Sequence, residues 1–194
     1  MSFDLTPFEA MTFDVYGTLI DWEPTIMNMF GSVAEQYNVR LSRDELLMEF
    51  DAARASLQRV RPALLYPDVL RTAYKQFCEK YHIPADTQEQ EVFANAVMLW
   101  PGFEDTRSAM SYLWKNFKIG LLSNIDNASL EYSHRKLGIN ADVVITAQKV
   151  AAYKPDLAHF RSSFQRIRHV GNSEKSDSSC RSESSGRRNS GQQA

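Results

Sequence analysis

The chain has 194 residues, of which 43% are hydrophobic, enough for one domain with a sizeable core and a modest insert. Its 22 Lys and Arg residues nearly balance its 24 Asp and Glu residues, so the net charge at pH 7 is -2. This balance excludes the strongly basic surface by which proteins bind nucleic acids and acidic membranes, and we expect neither as a partner.

The beginning of the sequence and its cysteines indicate the compartment. No basic segment followed by an apolar stretch opens the sequence, and no apolar run reaches the roughly 18 residues that a membrane span needs. Cys78 and Cys180 lie far apart, which fits neither a metal motif nor a disulfide framework. We therefore expect a cytoplasmic protein.

The first predicted element is a short strand at residues 8–13, where apolar side chains dominate. Residues 14–18 read Asp-Val-Tyr-Gly-Thr and form a predicted turn at the carboxyl end of this strand. Any chemistry that the strand supports is expected at this turn.

Residues 24–99 carry helical patterns with little strand signal. Pro24 suits a first helical position, and residues 42–45 form a capping box for a second helix. Four apolar stripes recur at helical spacing: Ile26, Met29, Phe30, Val33 and Tyr37; Leu46, Leu47, Phe50 and Leu57; Val69, Leu70, Ala73 and Phe77; and Val92, Phe93, Ala96 and Val97. They predict a helical module inserted after the first strand, with a core that includes Phe30, Tyr74, Phe77 and Trp100.

Residues 100–171 alternate short apolar runs with helical patterns. Strands are predicted at 118–122, 143–145 and 167–170. Between the first two, Asn127 is the predicted cap of a helix that Gly138 ends, and Leu130, His134 and Leu137 share one face of it. Strand, helix, strand order predicts parallel pairing and an α/β fold.

The last part of the sequence, residues 172–194, contains eight serines and no aromatic residue. Such a composition cannot bury a core, and we predict a disordered Ser-rich tail. The predicted domains are a catalytic core at 1–22 and 100–171, a helical cap at 23–99, and this tail.

Polar side chains follow each predicted strand, where ligands gather in an open parallel sheet. The four histidines, in contrast, lack the spacing of metal ligands, and each is expected to be structural or exposed. The strand-end candidates are Asp14, Tyr16 and Thr18 after the first strand, Ser123 and Asn124 after the second, Lys154 after the third, and Asp177 after the fourth; the histidines are His82, His134, His159 and His169.

Three of these segments resemble the motifs of the haloacid dehalogenase superfamily. Residues 13–19 are similar to its first motif, residues 121–124 to its second and residues 153–156 to its third. Tyr16, two places after the aspartate, and a helical insert directly after the first motif are similar to the L-2-haloacid dehalogenase branch. The resemblance implies a Rossmann-like parallel sheet with an inserted helical cap.

The resemblance also implies roles for the site residues. Asp14 would displace halide from a small 2-halocarboxylate through an aspartyl ester. Lys154 would keep Asp14 ionised, and Thr18 with Ser123 would fix its carboxylate by hydrogen bonds. Tyr16 stands where phosphatases of the superfamily usually place a second Asp, and a phenol with a pKa near 10 protonates a leaving alkoxide poorly. The substrate-binding residues would be Tyr16, Asn124 and Asp177, with no metal and no cofactor.

Two alternatives stay open. A magnesium-dependent phosphatase would use Asp14 as nucleophile and Asp177 in the metal shell. A truncated, inactive family member would bind a ligand without turnover. The cap arginine that receives halide in the family has no unique counterpart in this sequence; the candidates are Arg40, Arg43, Arg54, Arg59 and Arg61. Phe160 stands where the family has a tyrosine. The sequence leaves open whether the protein forms a homodimer.

Overall fold

The computed structural model describes residues 7–163, 165 and 166. The predicted strand at 167–170, Asp177, Cys180 and the predicted tail at 172–194 lie outside the described residues. Within the described part of the chain, no helix is both long enough and apolar enough to cross a membrane.

Three parallel strands form the sheet, in the order β1 (Ala10–Phe13), β2 (Lys118–Ser123) and β3 (Val143–Thr146). The register sets Phe13 opposite Leu121 and Ser123 opposite Thr146, so all three strands end at one edge. This confirms the predicted α/β class with parallel pairing. β1 begins at Ala10 rather than at residue 8: its pairing with β2 starts at Ala10 opposite Lys118, and Phe8 is 51% exposed.

Four α-helices lie within the segment that follows β1 and precedes residue 95, as the apolar stripes predicted. They are α1 (Glu23–Gln36), α2 (Arg43–Leu57), α3 (Tyr66–Lys80) and α4 (Thr87–Ala94). The capping box of α2 is confirmed, because Ser42 Oγ accepts the Glu45 N–H at 3.3 Å while Glu45 Oε2 accepts the Ser42 N–H at 2.8 Å. We refer to these four helices and their connections as the cap.

A cluster of phenylalanine rings fills the centre of the cap. The Phe30 ring centroid lies 4.8 Å from that of Phe77, 4.9 Å from Phe93 and 5.8 Å from Phe50, at tilted or edge-to-face angles. All four rings are buried. We call Phe30, Phe50, Phe77 and Phe93 the phenylalanine cluster, and its burial confirms the predicted core.

The apolar spacing of the fourth stripe predicted one continuous helix, and the structure has two shorter helices there. α4 ends at Ala94, and a 3-10 helix (Ala96–Leu99) follows. We attribute the break to Asn95. Its side-chain Nδ2 and its backbone N–H both donate to the Glu91 carbonyl, at 2.8 Å and 3.1 Å, so the side chain competes with the backbone for that oxygen. Phe93 and Val97 point inward, whereas Val92 is 52% exposed.

The core helices are α5 (Thr106–Asn116), α6 (Asn127–Leu137) and α7 (Ala147–Val150), followed by a helix from residue 158. Gly138 ends α6 with φ +66°, as predicted. The cap residue of α6 is Asp126 rather than the predicted Asn127: Asp126 Oδ1 accepts the Ser129 N–H at 3.0 Å. Asn127 Oδ1 instead accepts the Thr146 hydroxyl at 2.6 Å, which ties α6 to the end of β3.

Candidate active site

The turn after β1 presents Asp14 at the sheet edge where the strands end. The turn closes through the Val15 carbonyl, which accepts the N–H groups of Leu19 at 2.8 Å and Ile20 at 2.9 Å. Gly17 has φ +93°, a conformation that L side chains rarely adopt, so a glycine is needed there. The turn therefore holds the carboxylate of Asp14 in one place, with its side chain 47% exposed.

Lys154 joins the ends of two strands. Its Nζ lies 2.7 Å from Asp14 Oδ1 and donates to the Leu122 carbonyl at 2.9 Å. Asp14 Oδ1 also accepts the Val15 N–H at 2.7 Å. Within the described residues Asp14 Oδ2 has no partner, so one carboxylate oxygen is fixed and the other is available to a ligand.

Asn124 holds the backbone of Lys154. Its Oδ1 accepts the Lys154 N–H at 2.6 Å, and its Nδ2 donates to the Lys154 carbonyl at 3.3 Å. Both ends of the amide are therefore engaged, and the geometry makes Asn124 a positioning residue for the lysine. The expected contact of Asn124 with substrate stays a prediction.

Thr18 and Ser123 do not make the hydrogen bonds to Asp14 that were expected of them. The Thr18 side chain is exposed, and only its N–H is bonded, to the Val15 carbonyl at 3.3 Å. Ser123 ends β2 with no exposed surface, and its Oγ has no hydrogen-bond partner in the described structure. The Asp14 carboxylate is held by the ammonium and by a backbone N–H instead, because the tight turn brings the Val15 amide onto it.

Tyr16 lies against the core helix α6. Its hydroxyl is 2.9 Å from Ser133 Oγ and donates to the Ser129 carbonyl at 3.4 Å, while its ring meets Trp100 edge-on at 5.3 Å. Burial raises the pKa of this phenol well above its usual range, with Ser133 opposing the shift through its hydrogen bond. The hydroxyl is thus protonated and hydrogen-bonded to α6, and the expected contact of Tyr16 with substrate stays a prediction.

A cavity of about 430 Å³ separates the cap from the loop that carries Lys154. Tyr153 lines this cavity, and its hydroxyl donates to the Leu64 carbonyl at 2.9 Å, which joins the core to the cap. The cavity is lined by Ala55, Gln58, Arg59 and Arg61 from the cap and by residues 153–156 from the core.

The five candidate arginines are not equivalent. Arg40 and Arg43 line a different cavity, beside the start of α2. Arg54 pairs with Asp51 at 2.6 Å and lies over the Trp22 ring, whereas Arg59 and Arg61 line the cavity next to Lys154. Of these five, only Arg59 and Arg61 line the cavity that Lys154 also lines.

Several residues of the site carried no recognisable sequence signal. Ser133 and Leu64 contribute through contacts with Tyr16 and Tyr153, which are distant in the chain, whereas Asp126 contributes by capping α6. His159 is fully buried, and its Nε2 donates to the Ala152 carbonyl at 2.8 Å, in agreement with the predicted structural role. Phe160, on the same helix, is 42% exposed.

A metal shell would require carboxylates beyond Asp14. In the described ranges, no three His, Cys, Asp or Glu side chains gather closely enough to hold a metal ion. Asp177, the further carboxylate expected at this edge, lies outside the described residues. The described geometry thus provides one carboxylate, one ammonium and an adjoining cavity.

The comparison with protein families gives one match over most of the chain. The model of the haloacid dehalogenase-like hydrolases matches residues 8–173, which include Asp14 and Lys154. No curated protein sequence matches the chain.

Solved structures share the fold at low sequence identity. The L-2-haloacid dehalogenase PA0810 is 21% identical with a TM-score of 0.69, over 82% of this chain and 71% of that one. The L-2-haloacid dehalogenase from Xanthobacter autotrophicus with chloropropionic acid covalently bound is 19% identical, with a TM-score of 0.64 over 84% and 64%. The HAD-hydrolase YfnB from Bacillus subtilis bound to magnesium is 17% identical, with a TM-score of 0.64 over 82% and 74%.

Proposed function

Because the chain belongs to the haloacid dehalogenase-like hydrolases, we propose that it hydrolyses the carbon–halogen bond of a small 2-halocarboxylate. Asp14 is the nucleophile, and Lys154 keeps it ionised in the cleft. The reaction of these two residues with a 2-halocarboxylate needs no metal and no cofactor. The proposed substrate class agrees with the structural likeness to dehalogenases, one of which holds chloropropionic acid covalently.

The contact between Lys154 Nζ and Asp14 Oδ1, at 2.7 Å, carries the proposal. A carboxylate fixed through one oxygen and open at the other is oriented for attack on an electrophilic carbon. Oδ2 forms a bond to carbon 2 of the substrate while the carbon–halogen bond breaks and halide leaves with the electron pair. Attack from the side opposite the halogen inverts the configuration at carbon 2.

The second step returns the enzyme to its starting state. Water attacks the carbonyl carbon of the aspartyl ester, its oxygen enters the carboxylate, and the substrate leaves with the former Asp14 oxygen as a 2-hydroxy acid. A proton from water completes the product hydroxyl. Tyr16 supports this chemistry over phosphoryl transfer, because its raised pKa makes it a poor acid for a leaving alkoxide, whereas halide leaves without a proton.

Halide release from the two enantiomers of 2-chloropropionate tests the proposal. We expect release from one enantiomer, with loss of more than about 1000-fold in Asp14→Asn, because a neutral amide is a poor nucleophile. Asp44→Asn, an exposed carboxylate on α2, is the matched control and should retain full activity. Halide release that persists in Asp14→Asn contradicts the proposed nucleophile.

A single turnover in water labelled with heavy oxygen tests the ester. The product is expected to carry ordinary oxygen, and the peptide that contains Asp14 is expected to gain one heavy oxygen. Heavy oxygen in the first product instead would indicate direct attack by water.

A magnesium-dependent phosphatase is the second candidate, favoured by the likeness to a magnesium-bound HAD-hydrolase. Asp14 would then attack phosphorus, and Asp177 would belong to the metal shell. Hydrolysis of an aryl phosphate that requires magnesium, without halide release, supports this candidate. A folded chain that performs neither reaction supports the inactive family member.

A further inference from the structure

The cavity beside Lys154 has more room than a small haloacid occupies. Its volume of about 430 Å³ corresponds to about 14 water molecules at about 30 Å³ each, whereas 2-chloropropionate has only a three-carbon skeleton. Lys154, whose Nζ contacts Asp14, also lines this cavity, so a ligand held at Lys154 has room to extend toward the cap.

The cap wall of this cavity is cationic. Arg59 and Arg61 follow the end of α2, and neither has a carboxylate partner among the described residues. Arg43 and Arg54, which lie within α2, each pair with a carboxylate, at 2.8 Å and 2.6 Å. The two cavity arginines thus differ from the two arginines of α2, because no carboxylate among the described residues pairs with them.

One of the two guanidinium groups is oriented by its own loop. Arg61 Nη1 donates to the Gln58 carbonyl at 3.1 Å and to the Val60 carbonyl at 2.9 Å, which leaves its other nitrogen atoms unengaged. The one acid that lines the cavity, Asp156, accepts the Ala158 N–H at 2.9 Å and so caps the next helix. The cavity therefore has two cationic side chains on its cap side, of which Arg61 is held by its own loop.

We propose that Arg59 and Arg61 bind a second anionic group of the substrate, so that the preferred substrate is a 2-halodicarboxylate. This inference rests on the proposed function and specifies its substrate. The reacting end lies at Asp14 and Lys154, and the distal carboxylate reaches the guanidinium groups, whose planar donors match its geometry. A departing halide is one small ion, and two guanidinium groups in a cavity of this size exceed what it requires.

Binding of the unreactive hydroxy acids separates this inference from turnover. We expect the wild-type full chain to bind 2-hydroxyglutarate about tenfold more tightly than 2-hydroxybutyrate in calorimetric titration, because a hydrogen-bonded charge pair strengthens binding by about this factor or more. The preference should weaken as salt screens the charges. Arg59→Gln combined with Arg61→Gln should remove it, while Arg61→Lys alone should retain part of it.

Arg43→Gln is the matched control, because it removes a cap arginine, on α2, that does not line this cavity. Equal affinity of the wild-type chain for the two hydroxy acids overturns the inference, and so does a preference that survives the double substitution in a folded protein. Halide release distinguishes this failure from failure of the proposed function. Halide release with equal KM values for 2-chlorobutyrate and 2-chloroglutarate would support the proposed dehalogenase function and contradict the proposed preference for a dicarboxylate.

Discussion

Two groups of aromatic rings lie in different parts of this molecule. The phenylalanine cluster fills the cap, and its rings contact one another without a hydrogen bond. A second group, which we call the tyrosine cluster, lies where the cap meets the strand ends and consists of Tyr16, Tyr66, Tyr153 and Trp100.

The hydroxyl groups account for the difference between the clusters. Tyr16 contacts Ser133 of α6, and Tyr153 contacts the carbonyl of Leu64 in the cap. Each bond joins two segments distant in the chain and lies beside the Asp14 and Lys154 pair. The phenylalanine cluster therefore stabilises the cap by packing, whereas the tyrosine cluster positions the cap and α6 around the site.

The largest expected effect is on the stability of the cap. Phe30→Ala should lower the free energy of unfolding by about 3–5 kcal/mol, because a fully buried ring that contacts three others leaves a cavity. Urea denaturation measures it. Met48→Ala, at a side chain 71% exposed, is the control and should change stability by less than about 0.5 kcal/mol. A loss under about 1 kcal/mol for Phe30→Ala would show that the cap repacks and would remove the contrast between the clusters.

The second effect appears only in alkaline solution. Burial raises the pKa of Tyr66 to about 12. Below about pH 10 the Tyr66 phenol is protonated in both the folded and the unfolded chain. Between about pH 10 and pH 12 the unfolded chain loses this proton, whereas the folded chain keeps it. Stability therefore falls as pH rises from about 10 toward 12, by about 1.4 kcal/mol at pH 11 from this group.

Urea unfolding at pH 9 and pH 11 checks this dependence. Tyr66→Phe should reduce the alkaline loss, whereas Tyr112→Phe, at a side chain 67% exposed, should not. Tyr16 and Tyr153 have pKa values raised by the same burial and add to the loss in the wild-type chain. An alkaline profile unchanged by Tyr66→Phe is the contrary result.

The third effect concerns the connection of cap and core. Tyr153→Phe removes the hydrogen bond to the Leu64 carbonyl and should cost about 1 kcal/mol of stability. Because the bond links two units, hydrogen exchange should accelerate in the loop between α2 and α3 while the phenylalanine cluster stays protected. Tyr132→Phe, on the exposed side of α6, is the control. Faster exchange throughout the cap would place the two clusters in one cooperative unit.

The sequence predicts the features that depend on local pattern. The strand-end rule brought Asp14 and Lys154 together from positions far apart in the chain, because parallel strands end at one edge whatever lies between them. The capping box at Ser42 and the burial of Phe30 follow equally from local spacing. These predictions needed no knowledge of which side chain faces which.

Side-chain pairing between distant segments could not be predicted in this way. Nothing in the spacing tells that Asn124 binds the backbone of Lys154 or that Tyr16 reaches Ser133. The expected bond from Ser123 to Asp14 failed for the same reason, since residue order at a strand end does not fix the direction of a hydroxyl. At the start of α6, two adjacent residues could each cap the helix; Asn127 binds Thr146 instead, and Asp126 is the cap.

The smallest expected effect isolates the bond between Tyr16 and Ser133. Ser133→Ala and Tyr16→Phe should each lower stability by about 0.5–1 kcal/mol, less than Tyr153→Phe, because the Ser129 carbonyl also lies near the Tyr16 hydroxyl. The double variant should lose less than the sum, with a coupling of about 0.5 kcal/mol. Urea unfolding of the four proteins gives the cycle.

The same four proteins distinguish positioning from packing. If the bond fixes the turn that carries Asp14, kcat for halide release should fall in both single variants and fall no further in the double variant, with KM little changed. If the ring alone matters, Tyr16→Phe keeps kcat while Tyr16→Ala loses it. The second pattern would make Tyr16 equivalent to a member of the phenylalanine cluster, and the hydroxyl groups beside the site would then contribute stability without positioning the nucleophile.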